Sequence, residues 1–318
     1  MARSKKSEWI EVFAPATVAN CGPAFDTIGF SLDTLGDCLE ARLVDKPGVH
    51  IAEITGTKGL STDPTKNTAG IAAQETLKLA KSLSQGVEIR LHKQIPQGSG
   101  LGSSAASAVA GAYAVNILLG EPLSQEELLE PCLAAECAVS GYFADNVAPA
   151  LLGGFVLIQN LKPLRLVRLP VPDKLIVTAV TPDYVLLTRE ARAVLPEKIL
   201  LKQAVRQWAN IGALVAALHQ NDLKLLGEAM EDFIIEPVRA PLIPGFDRMK
   251  QAALAAGALG CAISGAGPTA FAITDDLTKA EKIAQRMQAG FAQVSLKSQA
   301  HIGRVSTQGA RCLRGKNR

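Results

Sequence analysis

A glycine-rich stretch around residue 100 has the composition of a loop that binds an anion. Its three glycines, Gly98, Gly100 and Gly102, allow backbone conformations that other residues avoid and let a ligand approach the peptide N–H groups. Ser103 and Ser104 follow at the positions of N-capping residues, ahead of an alanine-rich run that predicts a helix. Free amides, two hydroxyls and a helix N-terminus therefore converge, a combination that favours phosphate binding.

The same loop departs from three common motifs. No Lys-Ser/Thr pair follows the last glycine, so it is not a Walker A loop, and its spacing is not that of the dinucleotide fingerprint G-x-G-x-x-G. Neither serine is followed by a glycine two residues later, as a nucleophile elbow requires. A tight turn before a helix is the alternative interpretation of these glycines.

Two further loops place small or polar residues at the ends of predicted strands. Asn20 and Asp26 lie after a short strand, in a segment that also contains glycine and proline. An amide and a carboxylate in such a loop are typical either of a turn or of the edge of a small-molecule site. The other loop, residues 263–269, contains Gly265 and Gly267 between two short predicted strands.

A fourth polar segment, residues 140–149, follows a helix that we predict to begin at Ser124. This helix carries Glu136, and a glutamate on a helix is usually solvated. If its face turns toward the glycine-rich loop, Glu136 becomes a candidate Mg²⁺ ligand, because Mg²⁺ on nucleotides uses one or two protein oxygens besides the phosphates.

Composition restricts the class of protein. The chain has 318 residues, of which 48% are hydrophobic and 20% charged, which is typical of a globular protein with room for two domains. Aromatic residues make up 4% and do not alternate with basic ones, so we expect no nucleic-acid partner. No apolar run approaches the ~20 residues needed to span a bilayer, so we expect no membrane partner.

The cysteines and histidines exclude several kinds of site. The six cysteines are scattered without C-x-x-C spacing, and the four histidines lie outside every glycine-containing loop, which disfavours a zinc site and Ser-His chemistry. Unpaired cysteines fit a reducing compartment. Because the N-terminus also lacks the apolar region of a signal peptide, we expect a cytoplasmic location.

The predicted elements divide at a proline-containing linker, residues 162–172, where we place a domain boundary. Before the linker, the pattern predicts strands or helices at 11–14, 38–54, 68–82, 87–92, 105–119 and 151–158. After it, the pattern predicts a strand at 175–181, helices at 198–219, 222–233, 246–256 and 278–289, a loop at 236–245, two strands within 260–273 and a last strand at 291–296. The order of strands and helices after the linker suggests a ferredoxin-like sandwich.

Taken together, three of these loops resemble the signatures of the GHMP kinases, which occur in this order. The middle signature of that family, P-x-x-x-G-L-G-S-S-A, is present as residues 96–105. Outside it, the chain resembles the homoserine kinases of the family, especially the plant form. The similar segments are APATVAN (14–20), SGYFADNVAP (140–149), Ala191-Arg192 before Leu195-Pro196, and EPVRAPLIP (236–244).

The resemblance implies the fold, the reaction and the assembly. It implies an α+β protein of the GHMP kinase fold, with a ribosomal-protein-S5-domain-2-like α/β domain at 1–168 and a ferredoxin-like domain at 169–318. It also implies that ATP, with Mg²⁺, phosphorylates the side-chain hydroxyl of L-homoserine, a step toward threonine. Relatives of this kind suggest a homodimer.

The resemblance also implies the roles of individual residues. It assigns Asn67 to the adenine and the following residues to the ATP phosphates: Pro96, Gln97, Gly98, Ser99, Gly100, Leu101, Gly102, Ser103, Ser104, Ala105 and Ala106. It assigns Ser104 and Glu136 to Mg²⁺. For L-homoserine it assigns Asn20, Asp26, Phe143, Asp145, Asn146, Thr188, Arg192, Arg239 and Gly265. Of these, Asp145 and Asn146 lie closest to the chemistry, with Asp145 the candidate base. The residue types agree, since arginine binds a carboxylate through a bidentate fork.

Two positions depart from the family. Phe143 stands where histidine is usual, and Ala24 stands where glycine is usual. Because phenylalanine cannot hydrogen-bond or carry charge, the sequence predicts a working site with altered affinity or substrate preference. Two alternatives stay open: a GHMP kinase for another small hydroxy compound such as threonine, and a catalytically silent ligand-binding relative.

Overall fold

The computed structural model describes residues 8–315, which form two β-sheets covered by helices. The first sheet follows the order β11-β1-β2-β4-β3, with β5 added beside β2 and β6 beside β5. Its pairs are antiparallel except β3 with β4. The strands are β1 (Ile10–Ala19), β2 (Ile28–Val44), β3 (Gly48–Thr55), β4 (Gly86–His92), β5 (Phe155–Leu161), β6 (Leu164–Leu169) and β11 (Arg311–Arg314).

Four helices accompany this sheet: α1 (Thr68–Leu79), α2 (Ser103–Leu118), α3 (Leu129–Cys137) and α4 (Val147–Leu152). Helix α2 lies at the centre and is buried over most of its length, because its alanines let neighbouring elements approach closely. A Cβ atom at Gly111 would overlap the backbone of Ala69 in α1, so the absence of a side chain there permits the contact between the two helices.

The second sheet is antiparallel and follows the order β10-β7-β9-β8. Its strands are β7 (Ile176–Pro182), β8 (Gly260–Ile263), β9 (Ala270–Thr274) and β10 (Ser298–Gly303). The accompanying helices are α5 (Thr188–Ala193), α6 (Leu201–Gln220), α7 (Leu223–Ala229), α8 (Glu236–Arg239), α9 (Phe246–Ala255) and α10 (Leu277–Ala292). Phe246 and Phe291 are buried between α9, α10 and this sheet. The predicted α+β class is confirmed.

Two predictions before residue 172 are wrong. The run predicted as a strand at 151–158 begins as helix α4, and β5 starts only at Phe155, after Gly153 and Gly154 with positive φ. A short apolar run does not distinguish a buried helix from a strand. The supposed linker contains β6, which forms a hairpin with β5 because its prolines lie in the turn and after the strand, not within it.

Three further boundaries differ from the predictions. The last strand of the second sheet is β10 and does not lie at residues 291–296, because Phe291 belongs to the buried face of α10. The helix predicted from Ser124 begins at Leu129, since the Ser124 N–H and hydroxyl donate to the Glu127 carboxylate and close a turn. The loop predicted at 236–245 contains α8 and a short 3-10 turn.

The division into 1–168 and 169–318 stays a prediction. The two sheets follow it apart from one strand, because β11 returns to pair with β1 at the edge of the first sheet. Among residues 8–315, no helix is both long enough and apolar enough to cross a lipid bilayer.

Candidate active site

A cavity of about 640 Å³ lies where the glycine-containing loops meet. It is lined by most of the predicted site residues: Asn20, Asp26, Asn67, Gln97, Gly98, Ser99, Gly100, Gly102, Ser103, Ser104, Glu136, Phe143, Asp145, Asn146, Thr188, Arg192, Arg239 and Gly265. Four others do not line it. Pro96 is exposed beside the loop, and Leu101, Ala105 and Ala106 are buried beneath it.

The three glycines of the glycine-rich loop adopt conformations that other residues disfavour. Gly98, Gly100 and Gly102 have φ of +63°, +82° and +66°, in the left-handed region that side chains disfavour. A Cβ at Gly100 would overlap the carbonyl oxygens of the loop at 264–267, and one at Gly102 would overlap the Thr17 hydroxyl. Loop 263–269 therefore packs directly on the glycine-rich loop, and the Ser264 hydroxyl donates to the Gly100 carbonyl (2.7 Å).

The N-terminus of α2 opens into the cavity without a side-chain cap. The prediction that Ser103 or Ser104 caps it is wrong, because the N-cap residue is Gly102 and the Ser103 hydroxyl donates instead to the Ile95 carbonyl (2.9 Å). The first N–H groups of the helix therefore have no side-chain acceptor. With the helix dipole, they favour an anion at this end of the cavity.

A buried ion pair between Lys93 and Asp37 lies under the loop. The Lys93 ammonium donates to the Asp37 carboxylate, to the Ser103 carbonyl (2.8 Å) and to the Ser107 hydroxyl (2.8 Å), which uses all three of its protons. Asp37 also accepts from the backbone N–H groups of Gln94 and Ile95 at 2.9 and 3.0 Å. The pair thus joins β2, the entry to the loop and the first turn of α2. Burial lowers the pKa of Lys93, and Asp37 opposes that shift.

Glu136 has an unused oxygen in this part of the cavity. Its side chain accepts from the Ser140 hydroxyl (2.9 Å) through Oε2, while Oε1 is buried without a hydrogen-bond partner. Burial raises the pKa of Glu136, and side-chain hydrogen bonds with Ser104 and Ser140 lower it. An orphaned carboxylate oxygen beside a serine hydroxyl fits a hard cation that binds oxygen, and Mg²⁺ is such a cation.

The same cavity holds Arg192 in a fixed arrangement. Its two terminal nitrogens donate to the Asp26 carboxylate at 3.2 and 2.8 Å, and its guanidinium carbon lies 3.6 Å from the ring centroid of Phe143. Phe25 lies on it at 5.3 Å. The Arg192 Nε atom is buried without a partner. Phe143 therefore contributes an aromatic face to the guanidinium of Arg192.

A second arginine, Arg239, is buried beside it. Its Nε donates to the Ala191 carbonyl (3.1 Å) and one terminal nitrogen donates to the Gly265 carbonyl (3.0 Å). The Asn20 amide donates to the same Gly265 oxygen at 2.7 Å. Gly265 thus positions Asn20 and Arg239 through its backbone. Burial and the neighbouring Arg192 lower the pKa of Arg239 to about 10.

Asp145 lines the cavity and is buried. Burial, followed by the charge of Asp26, raises the pKa of Asp145 to about 7, while Arg192 opposes the shift. The adjacent Asn146 accepts a hydrogen bond from the Thr17 hydroxyl (2.7 Å) through its side-chain oxygen. A carboxyl group that titrates near neutral pH is suited to exchanging protons.

Asn67 and Thr188 lie at the edges of the cavity. The Asn67 side chain caps α1 by accepting from the Ala69 N–H (3.0 Å) and donates to the Ser61 carbonyl (3.0 Å). It therefore shapes the wall with its polar atoms already paired. Thr188 is the first residue of α5, the helix that also carries Arg192.

The sequence did not point to four of these contributors. Nothing in the sequence marks Phe25 or Thr17 as part of a site, because a single phenylalanine or threonine near a loop is common in proteins. Asp37 lies in β2 and Lys93 directly follows β4, with 55 residues between them, and nothing local pairs them. The one available signal was a lysine at the point where a strand enters an anion-binding loop.

Comparison with known families gives two matching models. Residues 67–154 match the GHMP kinases N terminal domain, and residues 214–293 match the GHMP kinases C terminal domain.

Individual proteins agree with these models. The chain is 47% identical over 317 residues to a homoserine kinase of Arabidopsis thaliana, covering 97% of this chain and 86% of that protein. It is 45% identical to a homoserine kinase of Chloroherpeton thalassium, covering 95% and 98%. The crystal structure of homoserine kinase from Cytophaga hutchinsonii superimposes with a TM-score of 0.93 at 48% identity, covering 98% of this chain and 99% of that one. An L. major mevalonate kinase, at 16% identity and a TM-score of 0.72, shares the fold.

Replacing Lys93 by methionine should strongly destabilise the protein. The variant leaves the Asp37 charge buried and unpaired, which we expect to lower the free energy of unfolding by about 3–5 kcal/mol. Urea unfolding followed by circular dichroism measures the change.

Lys279→Met is the matched control, because Lys279 pairs with Asp275 at the surface, with the two side chains 52% and 47% exposed. Equal stability losses in the two variants would contradict a structural role for the Lys93–Asp37 pair.

Proposed function

The chain belongs to the GHMP kinase family and, within it, to the homoserine kinases, and on that premise we propose how its cavity carries out the reaction. The enzyme transfers a phosphoryl group from ATP to the side-chain hydroxyl of L-homoserine. The observation that carries the proposal is the presence, in one cavity, of an uncapped helix N-terminus and two arginines.

The ATP phosphates bind at the glycine-rich loop. Backbone N–H groups of residues 98–104 and the positive end of α2 neutralise the triphosphate charge, and the loop geometry is held by Lys93 and Ser264. The adenine extends along the wall formed by Leu60, Lys66 and Asn67. This assignment is supported by the φ angles and the free helix terminus described above.

Ser104 and Glu136 would hold Mg²⁺. The unpartnered Glu136 Oε1 and the neighbouring hydroxyl supply the one or two protein oxygens that a nucleotide-bound Mg²⁺ typically uses. When bound, the ion neutralises charge on the phosphate oxygens.

L-homoserine binds at the opposite end, where the charges suit a zwitterion. Its carboxylate faces Arg192 Nε and Arg239, while its ammonium group faces Asp26 and the loop at Asn20. Thr188 and Gly265 complete this end of the cavity. In this orientation the side-chain hydroxyl extends toward Asp145 and the phosphate loop.

The transfer step depends on positioning and charge. The hydroxyl oxygen forms a bond to the γ-phosphorus, the bond from that phosphorus to the β–γ bridging oxygen breaks, and ADP leaves with the electron pair. The hydroxyl proton passes to the Asp145 carboxylate, whose pKa near neutrality suits this exchange. Asn146, held by Thr17, orients the acceptor.

Two broader features belong to the same proposal. A homodimer is supported by exposed apolar side chains near the start of α6. A cytoplasmic location is supported by the six cysteines, all of which are free, as expected in a reducing compartment.

A coupled assay of ADP release tests the proposed substrate. We expect turnover with ATP and L-homoserine, and a kcat/KM at least tenfold lower with L-threonine, because the hydroxyl of threonine is one carbon closer to the groups that the arginines and Asp26 bind. Comparable turnover of threonine or a polyol, or no turnover of any hydroxy compound, would contradict the proposal.

Asp145 should determine how kcat/KM and kcat depend on pH. Because its pKa is raised to about 7, the free enzyme holds Asp145 protonated and inactive as a base below that pH, so kcat/KM should rise as pH increases through about 7. The bound substrate ammonium favours the carboxylate, so the rise in kcat should occur at lower pH.

In Asp145→Asn, both rises should disappear and kcat should fall by about 100-fold or more. Stopped assays between pH 5.5 and 9 measure the profiles. An Asp145→Asn variant with near-full kcat would rule out the base.

Phe143 should act on substrate binding through Arg192. Phe143→Leu removes the aromatic face on the guanidinium, so KM for homoserine should rise by about 3- to 30-fold with little change in kcat, the range given by a cation–π contact of about 0.5–2 kcal/mol. Phe143→Tyr keeps the face and should preserve KM.

Phe13→Leu is the control, because Phe13 stacks on Arg311 outside the cavity at 4.3 Å. An unchanged KM in Phe143→Leu, or an equal rise in Phe143→Tyr, would show that Phe143 does not position Arg192.

A further inference from the structure

Gln207 is a buried polar residue on α6 that does not line the cavity. Its side chain is only 7% exposed, and glutamine is seldom buried to this extent unless its polar atoms are paired. Its Nε2 donates to the Pro23 carbonyl and to the Asp232 carboxylate, at 2.8 Å each. Its Oε1 accepts from the Phe233 N–H at 2.9 Å. One side chain therefore joins α6 to two separate segments of the chain.

The first segment is the turn that contains Pro23. This turn also carries Asp26, whose carboxylate accepts both hydrogen bonds from the Arg192 guanidinium. Gly22 in the turn has φ of +81°, and a Cβ atom there would overlap the Met230 carbonyl oxygen, so the backbones of the two segments are in direct contact. The hydrogen bond to the Pro23 carbonyl thus holds the part of the chain on which the partner of Arg192 lies.

The second segment leads into α8, the helix of four residues that ends at Arg239. The Asp232 carboxylate accepts hydrogen bonds of 2.9 Å from three successive backbone N–H groups, those of Ile234, Ile235 and Glu236. Because so short a helix is not stable in isolation, these hydrogen bonds determine where it begins and how it is oriented. The position of Arg239 therefore depends on Asp232.

Arg239 is supported by backbone geometry and by charge. Its guanidinium donates to two backbone carbonyls, which leaves its location tied to the path of the main chain. Burial and the neighbouring Arg192 lower the pKa of Arg239 to about 10, and Asp26, followed by Asp232, opposes that shift. Asp232 thus favours the charged guanidinium in addition to fixing the helix that carries it.

We propose that Gln207 and Asp232 are positioning residues for amino-acid binding, which hold Arg192 and Arg239 at the separation that a single carboxylate requires. The proposal rests on the proposed function, since it takes these two arginines to bind the carboxylate of L-homoserine. Neither positioning residue lines the cavity, and the glycine-rich loop is held separately by the buried ion pair beneath it. A defect in this network should therefore affect the binding of the amino acid and not that of ATP.

Gln207→Met tests the network. Methionine has a similar length and shape, but it has no donor and its sulfur is only a weak acceptor. We expect KM for L-homoserine to rise at least about tenfold, as when other side chains that orient a ligand-binding group are removed. KM for ATP should stay unchanged. Steady-state assays in which each substrate is varied at a fixed high concentration of the other measure the two constants.

Asn210→Leu is the matched control. Asn210 lies three residues further along α6 and donates to the Glu231 carbonyl at 2.8 Å. It therefore joins α6 to the segment before α8 but not to the turn at Pro23, and its removal should leave both KM values unchanged.

Asp232→Asn is a milder second variant. The asparagine oxygen can keep the hydrogen bonds made by Oδ1, while the bond from the Glu236 N–H and the negative charge are lost. KM for L-homoserine alone should again rise, by less than in Gln207→Met. This variant decides the question if Gln207→Met does not fold.

Thermal unfolding followed by circular dichroism separates positioning from a purely structural role. A residue that only stabilises the fold would lower Tm when replaced but leave both KM values of the folded enzyme as in the wild type. That result in Gln207→Met and Asp232→Asn would overturn the proposal. Equal rises in KM for ATP and L-homoserine, or the same rise in Asn210→Leu as in Gln207→Met, would overturn it as well.

A crystal structure of ligand-free Gln207→Met tests the network without reference to the substrate. We expect the turn at Pro23 and the Arg239 guanidinium to be displaced from their wild-type positions. If the wild-type protein does not act on L-homoserine, the proposed substrate is wrong, but this displacement would still support the positioning role. Unchanged positions of Arg192 and Arg239 in the variant would contradict that role whatever the substrate is.

Discussion

The buried ion pair of Lys93 and Asp37 is the constraint on which the rest of the site depends. It joins a central strand, the entry to the glycine-rich loop and the first turn of α2, so the three cannot move independently. Burying both charges is unfavourable unless every proton and lone pair is satisfied, and here hydroxyl and backbone groups complete the network. The loop is therefore fixed before any ligand binds, which is what a phosphate cradle made of backbone amides requires.

The second constraint is the balance of charge around the two arginines of the cavity. Two arginines lie beside Asp26 and Asp145, and each carboxylate changes the protonation or orientation of its neighbours. Asp26 occupies the fork of Arg192 while Phe143 covers its face, so the guanidinium is held in place with one edge free. An amino-acid substrate brings one positive and one negative group to a region that already holds charges of both signs. Phe143 thus holds Arg192 by stacking rather than by a hydrogen bond.

The sequence predicted those parts of the molecule that depend on neighbouring residues. The glycine-rich loop, the alanine-rich helix and the strand before it could be identified because their signals are local. Residues 147–152 could not be identified as a helix, since a short apolar run is compatible with either structure. The sequence of residues 162–172 predicts a linker although it contains β6. Prolines that flank a strand cannot be distinguished by sequence from prolines that interrupt one.

Pairings over long distances in sequence were the other limit. The contacts of Lys93 with Asp37, of Phe143 with Arg192 and of Gly265 with both Asn20 and Arg239 exist only because the fold brings distant segments together. Resemblance to a family named most of the cavity residues, but not what holds them. It also did not reveal that the Gly265 carbonyl oxygen accepts hydrogen bonds from both Asn20 and Arg239.

The most direct test of the account is a crystal structure with a non-hydrolysable ATP analogue, Mg²⁺ and L-homoserine. The account predicts that the triphosphate lies on the residue 98–104 loop at the N-terminus of α2 and that the homoserine carboxylate contacts Arg192 and Arg239. It also predicts the hydroxyl oxygen about 3–3.5 Å from the γ-phosphorus, the separation of a reactive complex. Phosphates bound away from this loop, or homoserine bound with its carboxylate away from both arginines, would contradict it.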